Sequence, residues 1–311
     1  MNHWRKKLLE FFDVNIQEYS LYLENNIKSI PMLYQYYPIS VWSLCNLMNT
    51  EIYLSEPSGF NDPFDSLLVL SRDEIIDGLL NIPMNPWISA IYGMENKDVV
   101  LSAKNKNDAL NDLSLKGYKD AINILDSLNS IYNQMSLEGS KYRNYLGVSC
   151  FTEKNNNPLM WGHYAKGGTG FCVCYDFSKI DTLYKRLFPI IYSKKPYYSY
   201  EFLETAYQVM QFEKDEHKDV NVNPLYKTSV VKPKEWTYEN EWRLLVTKKE
   251  IKSIFNNKRL IDVSGCIKRI ILGPLISDYA KRVLKKIAAD IGVDIYYAKI
   301  NPDKFKYQIT R

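Results

Sequence analysis

The residues best suited to chemistry lie in one stretch, Trp236-Thr-Tyr-Glu239-Asn-Glu241-Trp-Arg243-Leu-Leu-Val246. Aromatic and aliphatic residues dominate it and neither Gly nor Pro interrupts it, so a β-strand is expected from Trp236 to Val246. Strand side chains alternate sides, which puts Glu239, Glu241 and Arg243 on one face and Asn240, Trp242 and Leu244 on the other. Carboxylates in such a pair are groups that move protons and stabilise positive charge. The same pattern also describes a solvated outer face on which Glu and Arg pair. Pattern alone leaves both readings open, and the surrounding chain bears on the choice.

Other chemistries lack their residues. His3, His163 and His217 are far apart in sequence, and no His-x-x-x-His or Cys-x-x-Cys spacing occurs, so no metal site is expected. There is no nucleophile elbow, and His163 alone reads as a satisfied structural histidine. Gly167, Gly168 and Gly170 precede a strand, whereas a dinucleotide fingerprint needs a strand-to-helix turn.

The chain has 311 residues, of which 46% are hydrophobic and 24% charged, enough to bury a proper core. With 40 basic against 36 acidic residues, the net charge of +4 makes no case for nucleic acid by itself. Tyrosine is abundant, at 25 residues, and supplies core, interface or stacking surfaces alike. The five cysteines, Cys45, Cys150, Cys172, Cys174 and Cys266, have no ligand spacing, and their odd count without a signal peptide fits a reducing cytoplasm. Cys172 and Cys174 share a strand face and read as small core residues. No segment reaches the apolar length that spans a bilayer, so no membrane partner is expected.

The elements that must position the candidate strand suggest one elaborated α+β domain over 1–311, with a mixed or antiparallel sheet. An amino-terminal helical appendage covers 1–30, with a break near Val14. Sheet residues fall in 32–70 and 143–300. Met32–Tyr37 is a short strand, and Ser40 caps a helix that turns Trp42, Leu44 and Leu47 inward. Pro57 to Asp65 is a turn-rich loop whose Phe60, Asn61, Asp62 and Asp65 suit a rigid pocket wall. From 71 to 142 the pattern is helical, an insertion suited to a lid, a homo-oligomer contact or a partner surface. Tyr145–Thr152 returns to strand, Met160–Tyr164 reads as a turn, and Phe171–Asp176 and 186–193 are strands. Residues 197–218 form a helix, and 221–236 carry no clear pattern, with Lys232 reading as a surface lysine. Arg259–Val263, Lys268–Gly273, a helix over Ser277–Ile291 and a strand at Val293–Ala298 complete the chain, the last three as a β-α-β unit.

These pieces occur in an order that resembles a bacterial family, the domain of unknown function numbered 2971. The resemblance rests on Leu33–Tyr36, Phe60–Asp65, Ser149–Phe151, Met160–Tyr164 with Gly170, and Lys232 to Arg243, over roughly 32–275. The first motif departs from the family pattern: its lysine is Gln35 here and the arginine that usually follows is Tyr37. The family's layout is similar to that of a divergent ADP-ribosyltransferase, in which a polar first strand, a middle strand with Ser and a late strand with Glu meet.

The resemblance implies an NAD-dependent transferase cleaving the nicotinamide–ribose bond, with NAD as substrate and a protein or nucleic acid as acceptor, in a bacterial defence or toxin role. Glu241 would be the catalytic glutamate and Glu239 its upstream partner. Tyr34, Gln35, Tyr36, Asn61, Asp62, Ser149, Phe151, Trp161, His163, Tyr164 and Arg243 would bind the dinucleotide, with Tyr34, Tyr36, Trp161 or Tyr164 sandwiching the nicotinamide. Two other readings remain open: an inactive binding or sensor module of the same fold, which Gln35 and Tyr37 favour, and an NAD glycohydrolase with water as acceptor.

Overall fold

A computed structural model of the chain describes residues 3–12, 15–67, 142–197 and 201–311. The helical insertion expected over 71–142 falls outside them but for Tyr142. By contacts the chain divides into two compact units, one of Met1–Ser66, Asn144–Lys195 and Ser229–Arg311, the other of Leu67–Arg143 and Pro196–Thr228.

The first unit begins with α1 (His3–Phe12), α2 (Tyr19–Asn25), β1 (Leu33–Tyr37), α3 (Val41–Met48) and β2 (Glu51–Tyr53). It resumes with β3 (Leu146–Thr152), α4 (Pro158–Tyr164), β4 (Phe171–Tyr175), α5 (Asp181–Tyr184), β5 (Leu187–Pro189) and β6 (Ile191–Ser193). The second unit contributes α6 (Glu201–Lys214) and α7 (Asn223–Ser229), the latter ending one residue inside the first unit. There Val209, Phe212, Leu225 and Tyr226 are buried, and Thr205 Oγ1 donates to Asn221 O at 3.1 Å. The first unit then completes with β7 (Val231–Pro233), β8 (Glu241–Thr247), α8 (Lys248–Ser253), β9 (Leu260–Asp262), β10 (Ile267–Leu272), α9 (Asp278–Asp290), β11 (Asp294–Asn301) and β12 (Lys306–Thr310). Among the described residues no helix is long and apolar enough to cross a membrane.

The described strands form one large sheet in the order β12-β11-β10-β4-β1-β3-β8-β5, with two small two-stranded sheets, β2-β9 and β6-β7. All pairs in the large sheet are antiparallel except β10 with β11. That parallel pair is joined through α9, as the β-α-β pattern predicts; Ser277 caps α9, and Ala280, Leu284 and Ile287 face inward. Every residue of β4, β5 and β8 is buried. One junction differs from the rest. β1 pairs along its whole length with β4, and β3 with β8, yet β1 and β3 meet at a single register pair, Tyr34 with Thr152. Side chains rather than ladder bonds therefore occupy the space beyond that pair.

Several local expectations need correction. The candidate strand begins at Glu241, because Lys234–Glu239 forms a 3-10 helix that ends at Asn240 in the left-handed region, φ 45°. Asn tolerates that conformation better than most residues, so a chain without Gly can still turn there. Met160–Tyr164 is helical, started by Asn157 capping Leu159 N–H and by Pro158 at the first position. Residues 186–193 are two strands in different sheets, split at Ile190. Ser40 caps α3 with Ser43 as expected, but Trp42 is 80% exposed. The face turned inward carries Ser43 and Leu47, and the Ser43 hydroxyl returns to Pro38 O at 2.7 Å.

Candidate active site

Between the separated parts of β1 and β3 lies a cleft of about 420 Å³, within the usual size range of small-molecule sites. β1 contributes Tyr34, Gln35 and Tyr36, β3 contributes Val148 to Thr152, and α4 contributes Met160, His163 and Tyr164. The Pro57–Asp65 loop adds Phe60, Asn61 and Asp65, and Lys232, Glu239 and Glu241 complete the lining. Gln35 spans the gap, its Nε2–H donating to Ser149 Oγ at 3.3 Å while Tyr37 Oη–H donates to Gln35 Oε1.

The turn before β8 brings the two glutamates together. The Thr152 hydroxyl donates to Glu239 O, and Asn157 Nδ2–H donates to Tyr238 O at 2.9 Å, which ties the 3-10 segment to the end of β3 and the start of α4. Glu239 is therefore not a strand neighbour of Glu241, yet both carboxylates reach the same ammonium. Lys232 Nζ lies 2.6 Å from Glu239 Oε2 and 2.9 Å from Glu241 Oε2, with Asp65 Oδ2 at 3.7 Å. The Trp236 ring covers this ammonium at 4.8 Å.

Arg243 is fully buried and closes the cluster from the other side. Its two terminal nitrogens form a fork to Asp65 at 2.7 and 2.6 Å, and its Nε–H donates to Glu241 Oε1 at 2.7 Å. It also donates to Ser229 O at 2.7 Å. Among the described residues three carboxylates thus share two cations. The residues are nearly inaccessible: Lys232 is 5% exposed, Glu239 2% and Glu241 4%. Neither the solvated face nor the surface lysine of the sequence reading exists; the Glu–Arg pairing does, in the interior.

The environments push the two glutamates apart. Burial acts to raise the pKa of Glu241, but Arg243 and Lys232, by charge and hydrogen bond, hold it well below the usual carboxylate range. For Glu239, burial and then the charge of Glu241 raise it to about 7, against the pull of Lys232 and a hydrogen bond from Tyr164. Tyr164 Oη–H donates to Glu239 Oε1 at 2.5 Å, and burial together with that carboxylate holds the phenol firmly protonated. One carboxylate locked ionised beside one that titrates near neutrality is the arrangement by which two like residues take different roles.

Of the residues singled out from sequence, Tyr34, Gln35, Tyr36, Asn61, Ser149, Phe151, His163, Tyr164, Glu239 and Glu241 converge on this cleft. Three do not line it. Trp161 is buried in the core beside Tyr36, ring centroids 5.0 Å apart, with its Nε1–H donating to Asn155 O at 3.0 Å. Asp62 Oδ1 accepts from Phe64 N–H at 2.9 Å and so shapes the loop. Arg243 lies behind the glutamates. His163, read from the sequence as a satisfied structural histidine, is exposed at the cleft. The sequence marked Asp65 only as part of a rigid loop, with no ionic role, and Lys232 only as a surface lysine; the signal for either was its place within a motif.

Residues 160–244 match the model of a family described as Protein of unknown function (DUF2971). The matched segment contains His163, Tyr164, Lys232, Glu239, Glu241 and Arg243, and stops short of Gln35, Asp65 and Ser149. No curated protein and no solved structure matches the chain.

Proposed function

We propose that the chain is an ADP-ribosyltransferase-like enzyme that cleaves the nicotinamide–ribose bond of NAD and passes ADP-ribose to a protein or nucleic-acid acceptor. The observation that carries this reading is the glutamate pair in the cleft, both carboxylates on Lys232 and Glu241 also on Arg243, surroundings that hold Glu241 low and raise Glu239. Breaking the C1′–N bond sends its electron pair to the nicotinamide ring and leaves a cationic ribosyl centre, as in glycoside cleavage. Glu241, ionised whatever the substrate does, favours that cation through charge and through its ribose hydroxyls. The acceptor then forms a bond to C1′, and its proton passes to Glu239, whose pKa suits a base at neutral pH. Tyr34, Phe60 and Tyr164 offer aromatic surface to the leaving ring.

One observation favours a second reading, a binding module without turnover. Both carboxylate oxygens of Glu241 already receive cationic hydrogen bonds, from Arg243 and Lys232. Incubation of purified protein with NAD, following nicotinamide by chromatography beside Glu241→Gln and Glu239→Gln, separates the two. The enzyme reading expects release that Glu241→Gln abolishes. No release with any acceptor, or release indifferent to Glu241→Gln, rejects it, and calorimetric NAD binding without release establishes the module.

A further inference from the structure

Glu241 is the first residue of β8, directly after the left-handed turn at Asn240, a position where a strand ordinarily frays. β5 ends at Pro189, opposite Trp242, one position short of Glu241. The Glu241 N–H instead donates to Tyr192 Oη at 2.8 Å. Its carbonyl accepts from Ile190 N–H at 2.9 Å and also from Arg5 Nη2–H at 3.2 Å. Arg5 comes from α1. Its Nε–H donates to Ile190 O at 2.8 Å, its Nη1 pairs with Glu153 at 3.2 Å, and its guanidinium lies 5.6 Å from the Tyr192 ring centroid. The preceding residue, Trp4, packs edge-on against Trp242 at 5.7 Å. A buried guanidinium is costly to desolvate, and here two of its donors go to backbone carbonyls, one of them belonging to Glu241 itself.

From these contacts we infer that Arg5 and Tyr192 are positioning residues for Glu241, fixing its backbone from outside the cleft so that its carboxylate meets both Arg243 and Lys232. The inference rests on Glu241 being the charged centre of the proposed site. Neither residue lines the cleft, so neither touches substrate. The amino-terminal helix, which sequence alone marks as an appendage, thereby becomes part of the site's support.

The test uses the full chain with Tyr192→Phe, which removes one oxygen from a half-buried ring, and Arg5→Ala. Circular dichroism and thermal melting identify which variants stay folded; Tyr192→Phe keeps the test open should Arg5→Ala fail to fold. Two readouts follow. Carboxyl 13C NMR titration of glutamate-labelled protein, with Glu239→Gln and Glu241→Gln supplying assignments, needs no turnover. Displacement of Glu241 from its cations should move the Glu239 and Glu241 midpoints by about half a pH unit or more in folded variants. Nicotinamide release should lose roughly tenfold in kcat with KM changed far less. Shifted midpoints in a protein that releases no nicotinamide uphold the positioning role and reject the transferase reading. Unchanged midpoints in folded variants overturn the positioning role whether or not nicotinamide is released.

Discussion

Replacing Glu239 with Gln is the most informative single perturbation, because its effect changes with pH in a direction the structure dictates. The carboxyl has a pKa of about 7 in the folded protein and 4.5 as its ordinary value. A folded value raised above the unfolded one means that the native state binds the proton more tightly, so the stabilisation is complete below about 4.5 and lost as pH rises through 7. At 1.36 kcal/mol per unit, the loss between pH 4.5 and pH 8.5 is about 3 kcal/mol. Gln is isosteric: its carbonyl oxygen can accept from Lys232 and its amide can donate to Tyr164 Oη, so the variant retains the contacts without the titration. Urea denaturation at pH 5 should find Glu239→Gln ahead of wild type by no more than about 1 kcal/mol. At pH 8.5 the variant should be the more stable, by up to about 3 kcal/mol, since every other titration is common to both proteins and cancels. A stability difference that stays constant between the two pH values would show Glu239 ionised throughout, and would remove the basis for assigning it proton transfer.

Arg243→Lys should cost about 3 kcal/mol in urea denaturation, since an ammonium cannot hold the Asp65 fork and Glu241 together and leaves buried carboxylates short of a partner; a change within experimental error would mean the cluster relaxes freely. Gly170→Ala should abolish folding or cost more than about 4 kcal/mol, read by soluble yield and melting temperature, because a Cβ there would lie 2.1 Å from Tyr37 O and 3.1 Å from the Ala165 backbone. Wild-type melting temperature after that change would mean that the 165–170 loop moves to accommodate it.

Much of the sheet was legible because its strands are written in local pattern. β1, β3 and β4 follow apolar and aromatic runs bounded by turn residues, and Ser40, Ser277 and the 57–65 loop carry capping and turn signals that the structure uses. The site was legible as a set of motifs but not as a cluster. Asp65 and Arg243 are 178 residues apart, and nothing local at either end says that they form a fork. Lys232 looks like any charged residue before a tryptophan; the carboxylates that compensate its buried charge lie on the 57–65 loop and at the turn into β8. The 3-10 turn at Glu239 was hidden because Asn240, not Gly, takes the left-handed position. α8 and β12 were missed: both are short and largely polar, and β12 holds its place by pairing with β11 rather than by its own propensity.

Five ionisable groups gathered in a protein interior are a poor way to gain stability, since well-packed apolar residues of similar volume often do as well or better. The distribution of partners within the cluster suggests what it does instead. Asp65 takes the fork of Arg243, and Glu241 takes the remaining Nε–H of Arg243 together with Lys232. Among the described residues the two cations are thus taken up chiefly by Asp65 and Glu241, while Glu239 shares Lys232 and otherwise meets the neutral Tyr164 hydroxyl. Of the two glutamates, Glu239 is therefore the one that takes a proton first. A cationic species arriving in the cleft could supply positive charge in place of the proton, so its arrival would favour release of the proton from Glu239. Proton loss from Glu239 and the appearance of positive charge nearby are coupled by electrostatics alone, which is the coupling that a base acting at a cationic ribosyl centre requires.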